Sequence, residues 1–168
     1  MVRVTGLLLV LLYHFYKTIF PGGFVGVDVF FTFSGYLITA LLIDEYSKHR
    51  KIDLLGFYRR RFYRIVPPLV LMVLMVIPFT YLVRRDYVAN IGTQIAAALG
   101  FTTNFYEIMT GGNYESQFVP HLFLQTWSLA IEMHFYLIWG WLIWFLGRRR
   151  HSLAQFRSMI FGISGLFF

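Results

Sequence analysis

The sequence predicts an all-α, polytopic transmembrane helical bundle, and three observations carry that prediction. Of 168 residues, 58% are hydrophobic and 20% aromatic, while only 14% are charged; soluble domains usually carry about a quarter. Apolar runs at 7–12, 69–77 and 137–146 are dense enough to lie in lipid. The net charge of +7, from 15 Lys and Arg against 8 Asp and Glu, is unevenly placed. Seven basic residues and a single acid, Asp53, fall between Lys48 and Arg64, whereas 86–126 has no Lys or Arg and three acids, Asp86, Glu107 and Glu115. Basic clusters that abut apolar spans follow the positive-inside pattern and not that of a nucleic-acid surface. They place 48–64 and 148–157 in the cytoplasm, with the lipid bilayer as partner and no nucleic acid. The chain has no cysteine, which excludes disulfides and thiolate metal sites, and no metal is expected.

The first apolar span, 4–20, is closed by the turn signal Pro21, Gly22 and Gly23. No small-residue cleavage site follows, and a second span, 24–43, begins at once, so the segment is not a signal peptide. This order gives a multi-pass plasma-membrane protein with a cytoplasmic N-terminus. After the basic loop, Pro67 and Pro68 stand at the expected start of a third span, 67–83, where a missing N–H does no harm. Arg84, Arg85 and Asp86 stop it. The stretch 91–106 is only moderately apolar and carries Thr93, Gln94, Thr102, Thr103 and Asn104, which suits a re-entrant or interfacial helix facing outward. Gly111, Gly112 and Asn113 mark a loop. A further strong span, 127–146, ends at Arg148, Arg149 and Arg150, and the apolar run 159–168 opens another. The expectation is thus about four to five spans belonging to a larger membrane domain.

Ionisable groups inside such spans are expensive and are functional candidates by default. Arg3 and His14 are eleven residues apart, three helical turns plus about 20°, so they share one helix face about 16 Å apart along the axis. An inner-face anchor and a helix-packing histidine would account for the pair in isolation. Asp28, near the outer end of the second span, needs a partner in lipid, and His14 is the nearest in sequence. A carboxylate on an imidazole fixes its tautomer and raises its basicity; a cap for the following turn is the simpler role. In the segment from Phe57 to Pro67, helical spacing would put Arg60, Arg61 and Arg64 close enough to present several guanidinium groups, whose forks suit phosphate. Lipid headgroup contact and topology setting are the alternative. Glu132 and Tyr136, one turn apart in the last strong span, complete the set, because a lone Glu there demands a partner or a chemical role.

Four motifs occur in order and in register: the Arg3-x10-His14 pairing; Gly26-Val27-Asp28-Val29-Phe30-Phe31-Thr32-Phe33-Ser34-Gly35-Tyr36-Leu37-Ile38; Arg60-Arg61-Phe62-Tyr63-Arg64-Ile65-Val66-Pro67; and Trp127-Ser128-Leu129-Ala130-Ile131-Glu132 with Phe135-Tyr136. Together they resemble the integral-membrane acyltransferase-3 family over nearly the whole chain. Pro21-Gly22-Gly23-Phe24-Val25-Gly26-Val27-Asp28 and Lys51-Ile52-Asp53-Leu54 are most similar to the bacterial peptidoglycan O-acetyltransferases. On this resemblance 1–168 is the N-terminal portion of a membrane acyltransferase domain. Two positions depart from the family pattern. Gln125 stands where a His often precedes the Trp-Ser-Leu motif, so that site is either not catalytic or served by His121; Met133-His134 replaces the more usual Glu-Gln beside Glu132.

The resemblance implies transfer of an acyl group, acetyl first of all, from cytoplasmic acyl-CoA to a hydroxyl of an extracytoplasmic cell-wall glycan. An extracellular esterase-like domain would be a further partner. Arg60, Arg61 and Arg64, with Arg3, would hold the CoA phosphates, and the pantetheine arm would reach His14. His14 would serve as general base or transient acyl acceptor, oriented by Asp28 or by Glu132, and Tyr136 is a further candidate for passing the acyl group outward. The rival reading is a proton-coupled transporter segment in which His14, Asp28 and Glu132 form a relay.

Overall fold

The structure, a computed structural model, describes residues 2–16, 18–19, 21–83, 90–110, 121–148 and 153–167. The described residues are helical with short turns: α1 (Val2–Phe15), a 3-10 turn (Pro21–Phe24), α2 (Val25–His49), α3 (Leu54–Val83), α4 (Ile91–Leu99), α5 (Thr103–Thr110), α6 (Thr126–Gly147) and α7 (Leu153–Phe167). Three of these, α2, α3 and α6, are long and apolar enough to cross a membrane. The expected first span is shorter than the hydropathy suggests. Its helix ends at Phe15, and 14 residues rise only about 21 Å against a hydrocarbon core of about 30 Å.

The chain divides into two compact units, Met1–Ile52 with Trp139–Phe168, and Asp53–Ile138. In the first, α1 and α2 approach through glycines: a Cβ on Gly26 would lie 2.4 Å from the Gly6 carbonyl oxygen, so only a bare backbone fits. On α2, Ser34, Ile38, Leu42 and Tyr46 recur every four residues and are buried, the stripe expected of a packed helix face. Tyr46 packs on Phe156 of α7 with ring centroids 4.0 Å apart. The Trp139 indole N–H donates to Thr39 Oγ1 at 2.8 Å, which gives a polar atom in an apolar helix face its partner.

In the second unit, α3 departs from the expectation of a helix beginning at Pro67. It runs unbroken from Leu54 through Pro67, Pro68 and Pro78. Asp53 starts it as N-cap, its Oδ1 accepting from the Gly56 N–H at 3.0 Å. The proline pair therefore lies inside the helix, where it removes two N–H donors and leaves the Tyr63 and Arg64 carbonyls without their usual partners from the next turn. The stretch 91–106 likewise resolves into two short helices. Thr102 N–H donates to the Ala97 carbonyl at 2.9 Å and Phe101 N–H to that of Ala98 at 3.3 Å, while Phe101 takes a positive φ of 54°. This is a Schellman ending with Phe in the position that normally takes Gly. Leu69 and Val73 of α3 pack with Ala98 of α4 and with Phe123 in the turn before α6. Two polar contacts tie α5 to that turn and to the start of α6: Thr103 Oγ1 to Thr126 Oγ1 at 2.8 Å, and Glu107 Oε2 to His121 Nδ1 at 2.6 Å.

Candidate active site

The second unit holds a pocket of about 600 Å3 between the first turns of α3 and the middle of α6. Its lining includes Tyr58, Arg59, Arg61, Tyr63, Met133, Tyr136 and Leu137. The size falls within the range of small-molecule sites. The helical register of α3, set by the Asp53 cap, decides which arginine enters. Gly56 is required at that cap, because a Cβ there would lie 2.0 Å from Asp53 Oδ2 and 3.2 Å from Arg60 Nη1. Successive side chains turn by about 100°, so Arg60 and Arg61 cannot face the same way. Arg61 points in and is 9% exposed; Arg60 and Arg64 are exposed. The single arginine face expected from spacing is therefore divided. Arg61, with Arg59, lines the pocket, and Arg60 and Arg64 occupy the exposed sides of the same turns.

Arg61 lies between two aromatic rings, its Cζ 5.5 Å from the centroid of Phe57 and 5.6 Å from that of Tyr136. Stacking on a ring face is a favourable setting for a guanidinium withdrawn from water. The Tyr136 hydroxyl donates in turn to Glu132 Oε1. Both are buried, Tyr136 at 3% and Glu132 at 7% exposed. Cation, phenol and carboxylate thus form one chain beside the midpoint of α6, Tyr136 being the eleventh of its 22 residues. The Tyr58 hydroxyl locks the two helices at this level by donating to the Leu137 carbonyl at 2.8 Å. Such an arrangement presents a fixed positive charge and a phenol to a cavity with apolar walls, which suits a ligand with an anionic head and a long, weakly polar arm.

Of the residues singled out from sequence, Arg61, Tyr136 and Glu132 are brought together here. Asp28 is exposed in the first turn of α2 in the other unit, where a carboxylate complements the helix dipole. Arg3 and His14 are on α1, their side chains outside the described residues. Gln125 is exposed, and the His134 ring is 5.6 Å from that of Phe105, an aromatic packing role beside Glu132. Sequence reasoning missed Phe57 and Tyr58, which read as ordinary aromatics before the arginines, and Arg59. The spacing of Phe57 and Arg61, one helical turn apart, was the available signal.

The model of an acyltransferase domain matches residues 1–168. The chain is 39% identical over 140 residues to O-acetyltransferase OatA of Staphylococcus aureus, covering 83% of this chain and 23% of that protein. A putative O-acetyltransferase of the same species is 38% identical over 135 residues, covering 80% and 22%. The chain thus spans less than a quarter of the length of these curated relatives. No solved structure matches it.

Proposed function

This chain belongs to the acyltransferase-3 family, and from that premise we propose that it takes part in membrane O-acetylation. An acetyl group passes from cytoplasmic acetyl-CoA to a hydroxyl of an extracytoplasmic cell-wall glycan, peptidoglycan being the acceptor that the sequence resemblance favours. The observation that supports this reading best is the buried Arg61 stacked on Tyr136 at a pocket of substrate size. Arg61 and Arg59 would receive the donor's anionic end. Arg60 and Arg64, exposed on the neighbouring sides of the helix, would meet its outer phosphates, with Arg3 in the same role from α1. Tyr136, held by Glu132, would contact the donor beside Arg61. His14 is the proposed base or transient acyl acceptor, with Asp28 or Glu132 as its orienting carboxylate. The experiment that tests the reading is acetyl-CoA binding to membranes carrying the full-length protein; a transporter segment has no need of that ligand.

Changing Arg60 and Arg64 together to Gln is expected to weaken acetyl-CoA binding by up to about tenfold and to reduce its dependence on salt, as for exposed phosphate contacts. Membrane orientation should survive, because Lys48, Arg50, Lys51, Arg59 and Arg61 remain. An unchanged affinity with an inverted orientation would reduce these two arginines to topology signals.

The proposed orientation puts the turn between α2 and α3 inside and α5 outside. α4 and α5, with 9 and 8 residues, are each too short to cross a core of about 30 Å, so α3 and α6 are the crossings between the two basic clusters. The chain has no native cysteine, which makes labelling clean. Thr110→Cys should react with an impermeant thiol reagent added outside intact cells, and Ser47→Cys should react only after permeabilisation. The reverse pattern would turn the protein over.

A further inference from the structure

The Glu107 and His121 pair lies outside the arginine pocket, and nothing in the donor reading uses it. Glu107 Oε2 is 2.6 Å from His121 Nδ1, and the two side chains are only 9% and 11% exposed. A carboxylate on Nδ1 assigns the proton to that nitrogen and leaves the Nε2 lone pair to accept one. Burying both groups costs more than a hydrogen bond returns, and an apolar pair would tie α5 to the turn before α6 at lower cost. Their surroundings are polar and incomplete. Asn104, one turn before Glu107 on α5, keeps a buried Oδ1 with no hydrogen-bond partner among the described residues. The Tyr106 ring is 5.8 Å from that of His121. An acceptor atom without a donor among the described residues, on the helix that also holds the imidazole in place, fits a ligand that brings hydroxyl groups.

The pair is also placed at a useful distance from the donor pocket within the same unit. Tyr136 and Thr126 are ten residues apart on α6, about 15 Å along the axis, and His121 is in the turn that leads into Thr126. That separation is of the order of a pantetheine arm, so a donor whose anionic end is at Arg61 can carry its thioester to the level of Thr126, where the turn that holds His121 joins α6.

We propose that His121, positioned by Glu107, is the base that takes the proton from the acceptor hydroxyl. This rests on the donor reading above. As the hydroxyl oxygen forms its bond to the acyl carbonyl carbon, its proton passes to His121 Nε2. The carbon–sulfur bond of the thioester breaks as the tetrahedral intermediate collapses, and the proton passes from Nε2 to the leaving thiolate. The products are the glycan ester and free CoA thiol. His121 takes the base role proposed above for His14, and the transfer from the thioester is direct. Glu107 is a positioning residue.

The test measures two quantities in membranes carrying the full-length protein: binding of labelled acetyl-CoA, and acetyl transfer to wall glycan. His121→Asn keeps an N–H donor facing Glu107 and removes the base, so transfer should fall by about a hundredfold or more with acetyl-CoA binding unchanged. Glu107→Gln keeps an acceptor for Nδ1–H and should lower kcat by about tenfold, with the KM for acetyl-CoA unchanged. Transfer at the wild-type rate in His121→Asn overturns the proposal, as does a parallel loss of acetyl-CoA binding, which would mark a residue that holds the fold. If His121→Asn does not accumulate, Glu107→Gln decides, and an unchanged kcat overturns. A wild-type protein that transfers acetyl groups without binding acetyl-CoA removes the donor reading and the thioester step together. Normal binding with an active His121→Asn removes the dyad alone.

Discussion

Replacing Arg61 by Met should weaken acetyl-CoA binding by roughly ten- to a hundredfold, the equivalent of one charge-assisted contact. Met has an unbranched apolar side chain and fills the space between Phe57 and Tyr136 left by the guanidinium, so the fold should persist. Arg61→Lys is the sharper variant. It keeps the charge but loses the planar fork and the stacking on both rings, so most of the affinity should go with it. Arg59→Gln at the same pocket should cost less, because Arg59 is exposed and its contacts are shared with water. Isothermal or filter-binding titration of acetyl-CoA on detergent-solubilised full-length protein measures all three. Equal losses at Arg59 and Arg61 would show that the pocket reads net charge and not the buried guanidinium. No loss at either would remove the pocket from the donor reading.

The contrast between Arg61 and its neighbours marks where sequence reasoning stops. Hydropathy located α2, α3 and α6, because lipid-crossing helices declare themselves by composition and length alone. The same signal misplaced the start of α3. The arginines and the proline pair look like a loop and a helix start, yet the Asp53 cap begins the helix more than three turns earlier and carries it through both prolines. Once that segment is helical, one arginine, Arg61, is buried against α6 and its neighbours stay exposed. Which one faces it depends on where Tyr136 lies on the partner helix, and no local pattern encodes that. The break at Phe101 was hidden for a related reason. The residue with positive φ is a phenylalanine and not a glycine, held by packing against the Leu69 and Val73 cluster. Glu132 and Tyr136 were legible because their partnership is local, at i and i+4 on one helix. Glu107 and His121 are fourteen residues apart across a segment without periodicity, and only the fold brings them together.

Tyr136→Phe should lower the stability of the protein by about 1–3 kcal/mol, and the reason lies in Glu132. The phenol is the hydrogen-bond donor that Glu132 Oε1 receives, and Glu132 is 7% exposed near the middle of a crossing helix. Removing the hydroxyl strands a buried carboxylate without that donor, and leaving one partner unsatisfied costs more than the hydrogen bond was worth. Glu132→Gln should be milder, since its amide oxygen still accepts from the phenol. The double variant Glu132→Leu with Tyr136→Phe removes both polar groups, and its stability should return most of the way to wild type. Activity should behave differently. If the Tyr136 hydroxyl contacts the donor beside Arg61, the double variant remains folded but loses glycan acetylation as fully as Tyr136→Phe alone. Denaturant unfolding in detergent reads the stability and radiolabelled acetyl transfer reads the activity, on the same preparations. Recovery of both together would make the pair a packing device. Recovery of stability without activity assigns the Tyr136 hydroxyl to the donor site, with Glu132 as the group that holds it in place.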